Sequence, residues 1–563
     1  MVSGILASMP LLQHTDGSRI AMSSSHHKQS QLLGYGDNIT LEVPLIRTDF
    51  SDSLESRFFI KRALDNGIVH IIRNHMLVIE YDNGELDILE IDPYFNLYVK
   101  SGDRIRKGQI FMAHKSYYAN RINRYGIHMN AVFYELKRTF EDAILVSESG
   151  ARKLTSINID LIEIPIRRKT FDINVEALKS KILKKGTWIV KEYKKPVSML
   201  TSPIHVEYAE KDYEVISVVT QIFDPKIKIS SQVKEFLNQT SVESELEEIK
   251  KVVNPKNATR IKKSVISSDD VVGVIRLHVK SFSTLKTGDK LVNRYGNKGT
   301  VSKIISDDEA KWIFKNKCGI DDPKFIPEIF FNPLGIHTRM NPSQLAELSL
   351  NYVLKYIVPE YILALVPKQG IRKTLLFLVD KIHKRLNPKY AQQVANMLMK
   401  LDDNQLNKIA NDIIKNGLQI ELPVFGNNLM LNIYEIVKEL APKYFNDIDK
   451  LGYGVFYILK LEHMVEKKIN AVSTSKYSSK FQPLDGQRVG EMETWDIIAY
   501  DAPHTLYSMQ KIKSDEPKSK SIAYEKIVNT GSASIKDITD QDSASKRLVE
   551  SLLDTVGINI KTV

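Results

Sequence analysis

The sequence predicts an α+β multidomain chain in which a β-rich core is interrupted by helical sequence and followed by a separate C-terminal segment. Three observations lead there. HMLVIEYDNGELDILEID alternates apolar and polar residues on both sides of Asp82-Asn83-Gly84, the turn chemistry of a β-hairpin. VVGVIRLHVKSF, Val271 to Phe282, repeats the strand pattern and runs straight into the basic loop GDKLVNRYGNKG. From Ser343 the period changes, and Leu345, Leu348, Tyr352 and Tyr356 fall on one helical face.

Taken in order, residues 1–151 read mainly as β, with a second basic turn at GDRIRKGQ. Residues 152–272 turn rich in Lys, Glu and Ser and carry VESELEEIKKVV, an exposed helix, which marks a semi-autonomous insertion. Residues 273–345 hold the strand and the basic loop. Residues 346–450 form a helical region: Asn341-Pro342 supplies an N-cap and a first-turn proline, Asn387-Pro388 and Asp403 begin further helices, and Gly417 stops one. In residues 451–510, YILKLEHMVEKK places Lys460, His463 and Lys467 about one helical turn apart. Residues 511–563 end in an amphipathic helix, SASKRLVESLLDTV, closed by Gly557 and followed by the extended INIKTV.

The chain is long enough, at 563 residues, for several domains and more than one core. Its 43% hydrophobic and 26% charged residues are those of a globular protein. The 79 Lys+Arg exceed the 68 Asp+Glu, a net +11 that favours a polyanionic partner such as nucleic acid or nucleotide; a ribosome-associated or membrane-surface protein would show the same balance. Cys318 is the single cysteine, which excludes intrachain disulfides and cysteine-built zinc sites and suits a reducing compartment. MVSGILASMPLL has no basic n-region, and Tyr356–Val366 is too short and too interrupted to span a bilayer, so neither a signal peptide nor a membrane role is expected.

The loop GDKLVNRYGNKG fails as a P-loop, because Asn297 follows Gly296 where lysine is required. It leaves two ammonium groups, Lys290 and Lys298, on a glycine-shaped turn that suits a nucleotide or RNA backbone. A solvated basic hairpin is the competing reading. In NPLGIHTRMNPSQL, Arg339 precedes the expected helix cap, so a guanidinium and free N–H groups can converge on one anion. A capped helix with a surface arginine is the plainer alternative. HTDGSRIAMSSSHHKQ offers Arg19, Lys28 and Gln29 in a polar setting. Glu141 and Asp142 head the apolar run AILVS, where buried carboxylates need cations or a metal close by. No run of three aspartates suited to holding magnesium is present; Asp447 and Asp449 read as surface residues.

In order along the chain, ASMPLLQHTDGSRIAM, FEDAILVSE, GDKLVNRYGNKGTVSKI, NPLGIHTRMNPSQL, LKLEHMVEKK and DGQRVGEMETWDIIAYDAPHTL resemble the C-terminal half of the β subunit of multisubunit DNA-dependent RNA polymerases. The resemblance spans residues 7 to about 506, and the final GINI is similar to the family's last segment. It implies a double-psi β-barrel in a hybrid-binding core, a flap-like insertion at 152–272, and a switch and clamp segment after about 465. Lys290 and Lys298 match the family's paired active-site lysines. Arg339 and Arg19 match arginines at the nucleotide triphosphate. Gln29, with Lys28 beside it, and His463 match residues near RNA, and Glu141 and Asp142 match an acidic pair near the second magnesium. Mg2+ would be held mainly by catalytic aspartates on a β′-like partner.

The resemblance further implies a DNA template, nascent RNA and NTPs as ligands, with a promoter-specificity subunit in the assembly. Tyr295 stands where the family usually has His, and Leu291-Val292-Asn293 where it has Met-Ala-Gly. Met1 falls just before a motif that lies mid-subunit in cellular enzymes, so either this is a fragment or β is encoded as two chains, in which case an N-terminal β-half chain is expected as partner. Divided β subunits of this kind belong to phiKZ-like giant bacteriophages, which places the chain in the bacterial host cytoplasm or in the virion. An inert polymerase-derived nucleic-acid-binding protein and an RNA-templated polymerase subunit are the alternatives.

Overall fold

The computed structural model describes residues 4–36, 38–50, 60–72, 76–92, 94–116, 124–167, 170–193, 204–222, 231–241, 271–448, 451–468, 489–512, 517–534 and 544–559. At its centre six strands close into a barrel: β1 (Ile127–Phe133), β2 (Ala143–Ser147), β3 (Lys290–Asn293), β4 (Lys298–Ile305), β5 (Ile329–Phe331) and β6 (Gly452–Lys460). The order around it is β1-β5-β2-β4-β3-β6. Pairs β1–β5 and β2–β4 are parallel and the other four are antiparallel, as when Ile127 pairs with Ile458 and Lys290 with Thr300. This mixed α+β architecture with its closed barrel is the one the resemblance implies.

Strand period explains the filling. Ile127, Met129, Ala131 and Phe133 lie in one cluster with Ile144, Val146, Leu291, Tyr295, Val301, Ile329, Phe331, Phe456 and Ile458. Val132 and Leu145 turn to the other side and join a second core with the helices of 343–448. Closure buries both faces, so β6 reads as a nearly continuous apolar run, and in β1 even His128 and Asn130 are buried. Phe456, fully buried between Phe133 and Phe331, stabilises the barrel by about 2–3 kcal/mol.

Helix α2 (Ser343–Tyr352) packs on β6. The approach is close enough that a Cβ at Gly454 would lie 2.4 Å from the Leu348 carbonyl oxygen. Asn387 caps its helix by accepting from the Tyr390 amide, and Gly417 ends the one before Ile420 with φ 87°. The cap of that last helix is Asp402, one residue before the expected start, in a full capping box with Gln405. Met76–Tyr81 and Leu86–Glu90 form the expected hairpin.

The described part of 152–272 is mostly β. Ser156–Arg167 and Val271–Ser283 pair along their length, and the residues between contribute a separate apolar core around Ile166, Leu237 and Leu277. The helix expected in VESELEEIKKVV and the terminal INIKTV beyond Asn559 lie outside the described residues.

Two expectations are corrected. Lys460 is the last residue of β6 and His463 lies in irregular backbone after a bend at Glu462, so no helix joins Lys460 to Lys467; a helical turn begins only at Val465. Both-sided burial made this strand indistinguishable from a helix by periodicity. Asn341 does not cap α2: its side chain accepts from Gln344 Nε2 at 2.6 Å and donates to the Tyr295 carbonyl at 3.3 Å. From Glu466 the chain forms a second compact unit, whose described residues include the helices Glu491–Ala499, Pro503–Tyr507, Pro517–Thr530 and Ala544–Thr555.

Candidate active site

The turn between β3 and β4 is built by Asn293. Its Oδ1 accepts the amides of Tyr295 (2.9 Å) and Asn297 (3.1 Å), and its side-chain nitrogen donates to Gln344. Arg294 points inward: one nitrogen donates to the Ile46 carbonyl at 2.8 Å, the other to Glu347 Oε1 at 2.5 Å. Glu347 holds this buried guanidinium above its usual range against the opposing effect of burial. With Arg294 anchored inside, Lys298 is left exposed.

The register places Lys298 opposite Val292 and Thr300 opposite Lys290, so both lysines share the outward face of the β3–β4 ribbon. Gly296 has φ 72°, and a Cβ there would come within 2.4 Å of the Arg19 carbonyl oxygen. Only glycine lets helix α1 (Gly17–Lys28) sit so close. Arg19 returns a bond from Nη1 to the Gly296 carbonyl at 3.3 Å, and Ser23 donates to the Arg294 carbonyl.

A cleft opens beside this turn, lined by Glu141, Asp142, Asn297, Lys298, Asn332 and Arg339 among others. Arg339 bridges it, one guanidinium nitrogen donating to Asn297 Oδ1 and the other to Asp142 Oδ1. Burial and the nearby Arg19 push Arg339 down from its usual range, while Glu141 acts the other way. Arg339 closes the short helix Leu334–Thr338 at its C-terminal end. The N-terminus of α2 does not form the expected anion cradle, because Asn341, Ser343 and Gln344 are fully buried and Ser343 is bonded to Thr15. Side chains, not helix N–H groups, face the cleft.

Gln29 ends α1; its Oε1 meets His463 Nε2 at 3.1 Å, and its carbonyl accepts the Glu462 amide. Lys28 is exposed just before it. His26 and Asn297 are the residues that sequence reasoning missed. Burial, followed by Lys298, His27, Arg19 and His463, holds the His26 imidazole down at about 4, so it is neutral beside the cations Lys298 and Arg19. Its helical spacing from Arg19 was the available signal. Asn297 was legible only as the residue that breaks a P-loop.

The arrangement can grip and orient anionic groups. It does not suit a resident metal by itself: magnesium takes about six oxygens, and Asp142 already gives one to Arg339. Among the described residues no three His, Cys, Asp or Glu side chains converge on a metal position. Among them, too, no helix is long and apolar enough to cross a membrane.

Residues 134–489 match the family described as RNA polymerase Rpb2, domain 6. The DNA-directed RNA polymerase subunit beta of Ureaplasma parvum serovar 3 is 26% identical over 94% of this chain and 39% of its own length. That of Borrelia duttonii is 27% identical over 94% and 43%. That of Geotalea daltonii is 28% identical over 70% and 27%. The chain therefore spans about two fifths of the length of the first of these relatives.

Proposed function

Because the chain belongs to the RNA polymerase Rpb2, domain 6 family, we propose that it is a subunit of a DNA-directed RNA polymerase and supplies the β-side half of the active centre. In the reaction the RNA 3′-hydroxyl oxygen, its proton leaving to solvent, bonds to the α-phosphorus of an NTP as the bond to the bridging oxygen breaks, releasing pyrophosphate. Lys290 and Lys298 hold the RNA 3′ end and the incoming nucleotide. Arg339 and Arg19 take the triphosphate, with Asp142 surrendering Arg339 to it. Gln29, Lys28 and His463 lie along the nucleic acid. These groups work by electrostatic preorganisation and not by proton transfer.

The observation that carries the reading is the meeting of Lys298, Arg339 and Arg19, from three distant segments, at one rim of the barrel. Mg2+, which neutralises developing phosphate charge, would be held mainly by aspartates of a β′-like chain, with Glu141 and Asp142 close to the second ion. An N-terminal β-half chain, a promoter-specificity subunit, template DNA and nascent RNA complete the assembly in a bacterial host. The test is purification of the native complex: a copurifying chain with the aspartates and DNA-dependent transcript synthesis support the reading, and their absence overturns it. The divided-β form of giant bacteriophages rests on the resemblance alone. An intact mass well above 64.2 kDa for the native chain overturns that part.

A further inference from the structure

Lys460 is a cation with no exposure to solvent. Its Nζ donates to the carbonyls of Leu154 (3.2 Å) and Ser283 (3.2 Å) and to Ser156 Oγ (3.1 Å), and lies 3.9 Å from Asp289 Oδ2. Ser156 and Ser283 are paired residues at the root of the two long strands that lead into and out of residues 168–270. Asp289 immediately precedes Lys290. It is buried as well, and its carboxylate accepts the amides of Lys286 and Val465, both at 2.9 Å. The backbone of Lys460 belongs to the same junction, since Leu461 N donates to the Lys290 carbonyl and Lys460 O accepts from Gln31.

A buried lysine is costly, and an aliphatic residue would fill the same space with less desolvation. What the ammonium does that an aliphatic side chain cannot is bond the paired ends of the two long strands and set a positive charge 3.9 Å from the Asp289 carboxylate. We propose that Lys460 is a positioning residue that ties the root of the 156–283 insertion, through Asp289, to the backbone carrying Lys290, so that the placement of Lys290 depends on how that root is held. The proposal rests on the reading of Lys290 as an active-site lysine. Lys460 itself touches no substrate.

Removing the ammonium alone strands a buried carboxylate, so Lys460→Met can fail through instability. The paired variant Lys460→Met/Asp289→Asn removes both charges together, while the amide oxygen introduced at position 289 can still accept one backbone N–H, and it is the main test. Two measurements apply. In the full chain without partners, amide hydrogen exchange at Lys286, position 289 and Val465 speeds up about tenfold or more in the paired variant, while β1 and β2 keep their protection. In the assembled enzyme, kcat for single-nucleotide addition falls about tenfold with KM little changed, and Lys460→Arg, which keeps the charge, retains part of it. Repeating the paired change on a Lys290→Ala background costs less than about twofold, because the lost positioning no longer has an object. Unchanged exchange, or equal losses on both backgrounds, overturns the proposal. An enzyme in which Lys290→Ala alone has no effect refutes the active-site reading instead, and the exchange result still stands or falls separately.

Discussion

Arg339 and Asp142 are ion-paired across the cleft, the arginine mostly shielded and the aspartate 41% exposed. The carboxylate thus occupies the guanidinium that an incoming polyphosphate would need. Asp142→Asn should raise the affinity of the full chain for inorganic triphosphate, without divalent metal, by about threefold, in line with a partly exposed pair. Arg339→Lys should lower it, since a lysine ammonium is a point charge on a flexible stem without the guanidinium's rigid pair of parallel N–H donors. Titration calorimetry reads both, and equal affinities for all three proteins would remove the triphosphate from this cleft.

Lys298 is exposed on the ribbon, so truncating it opens no cavity in the core. Lys298→Ala in the assembled enzyme should reduce nucleotide addition about 10²-fold while thermal stability and subunit association stay unchanged. A fully active variant contradicts the proposed role.

Gly296 and Gly319 have the same φ of 72°, but a Cβ meets the Arg19 backbone at the first and nothing within 4 Å at the second. Gly319→Ala should cost about 1–2 kcal/mol, the strain of the backbone alone. Gly296→Ala should cost more and displace α1, lowering activity as well. Urea unfolding of the two variants side by side measures the difference.

His383 lies buried beside Tyr390, and burial holds its imidazole down at about 4. The folded chain therefore keeps it neutral where the unfolded chain takes up a proton near pH 6.5. Stability from this residue is complete above that pH and is lost as pH falls from 6.5 towards 4. Between about pH 7.5 and 5.0 the loss is about 2 kcal/mol. His383→Phe should flatten that slope in urea titrations of the helical layer, and an unchanged slope would assign it to other groups.

Much of the fold was legible because local signals agreed with the final packing. Asp82-Asn83-Gly84, Asn387-Pro388 and Gly417 each act where their chemistry says they should. The site residues were legible mainly through resemblance to a family. Charge and glycine content suggested anion binding at Lys298 and Arg339, but nothing local says that residues 142 and 339 meet. Asn341 and Lys460 were misjudged for one reason: tertiary contacts used their polar atoms for joints between distant segments. Such joints leave no periodic trace.

Strand β6 is the last of the barrel to be synthesised, yet it pairs with β1, far earlier in the chain, and with β3. During translation β1 and β3 must wait with open edges until residues 452–460 emerge, a long loop closure that slows folding and leaves those edges exposed to wrong partners. The rim that carries Lys290 and Lys298 is thus completed only after most of the chain exists. A truncated product lacking β6 would be a candidate for aggregation and chaperone capture before it could act as a competing, half-built subunit.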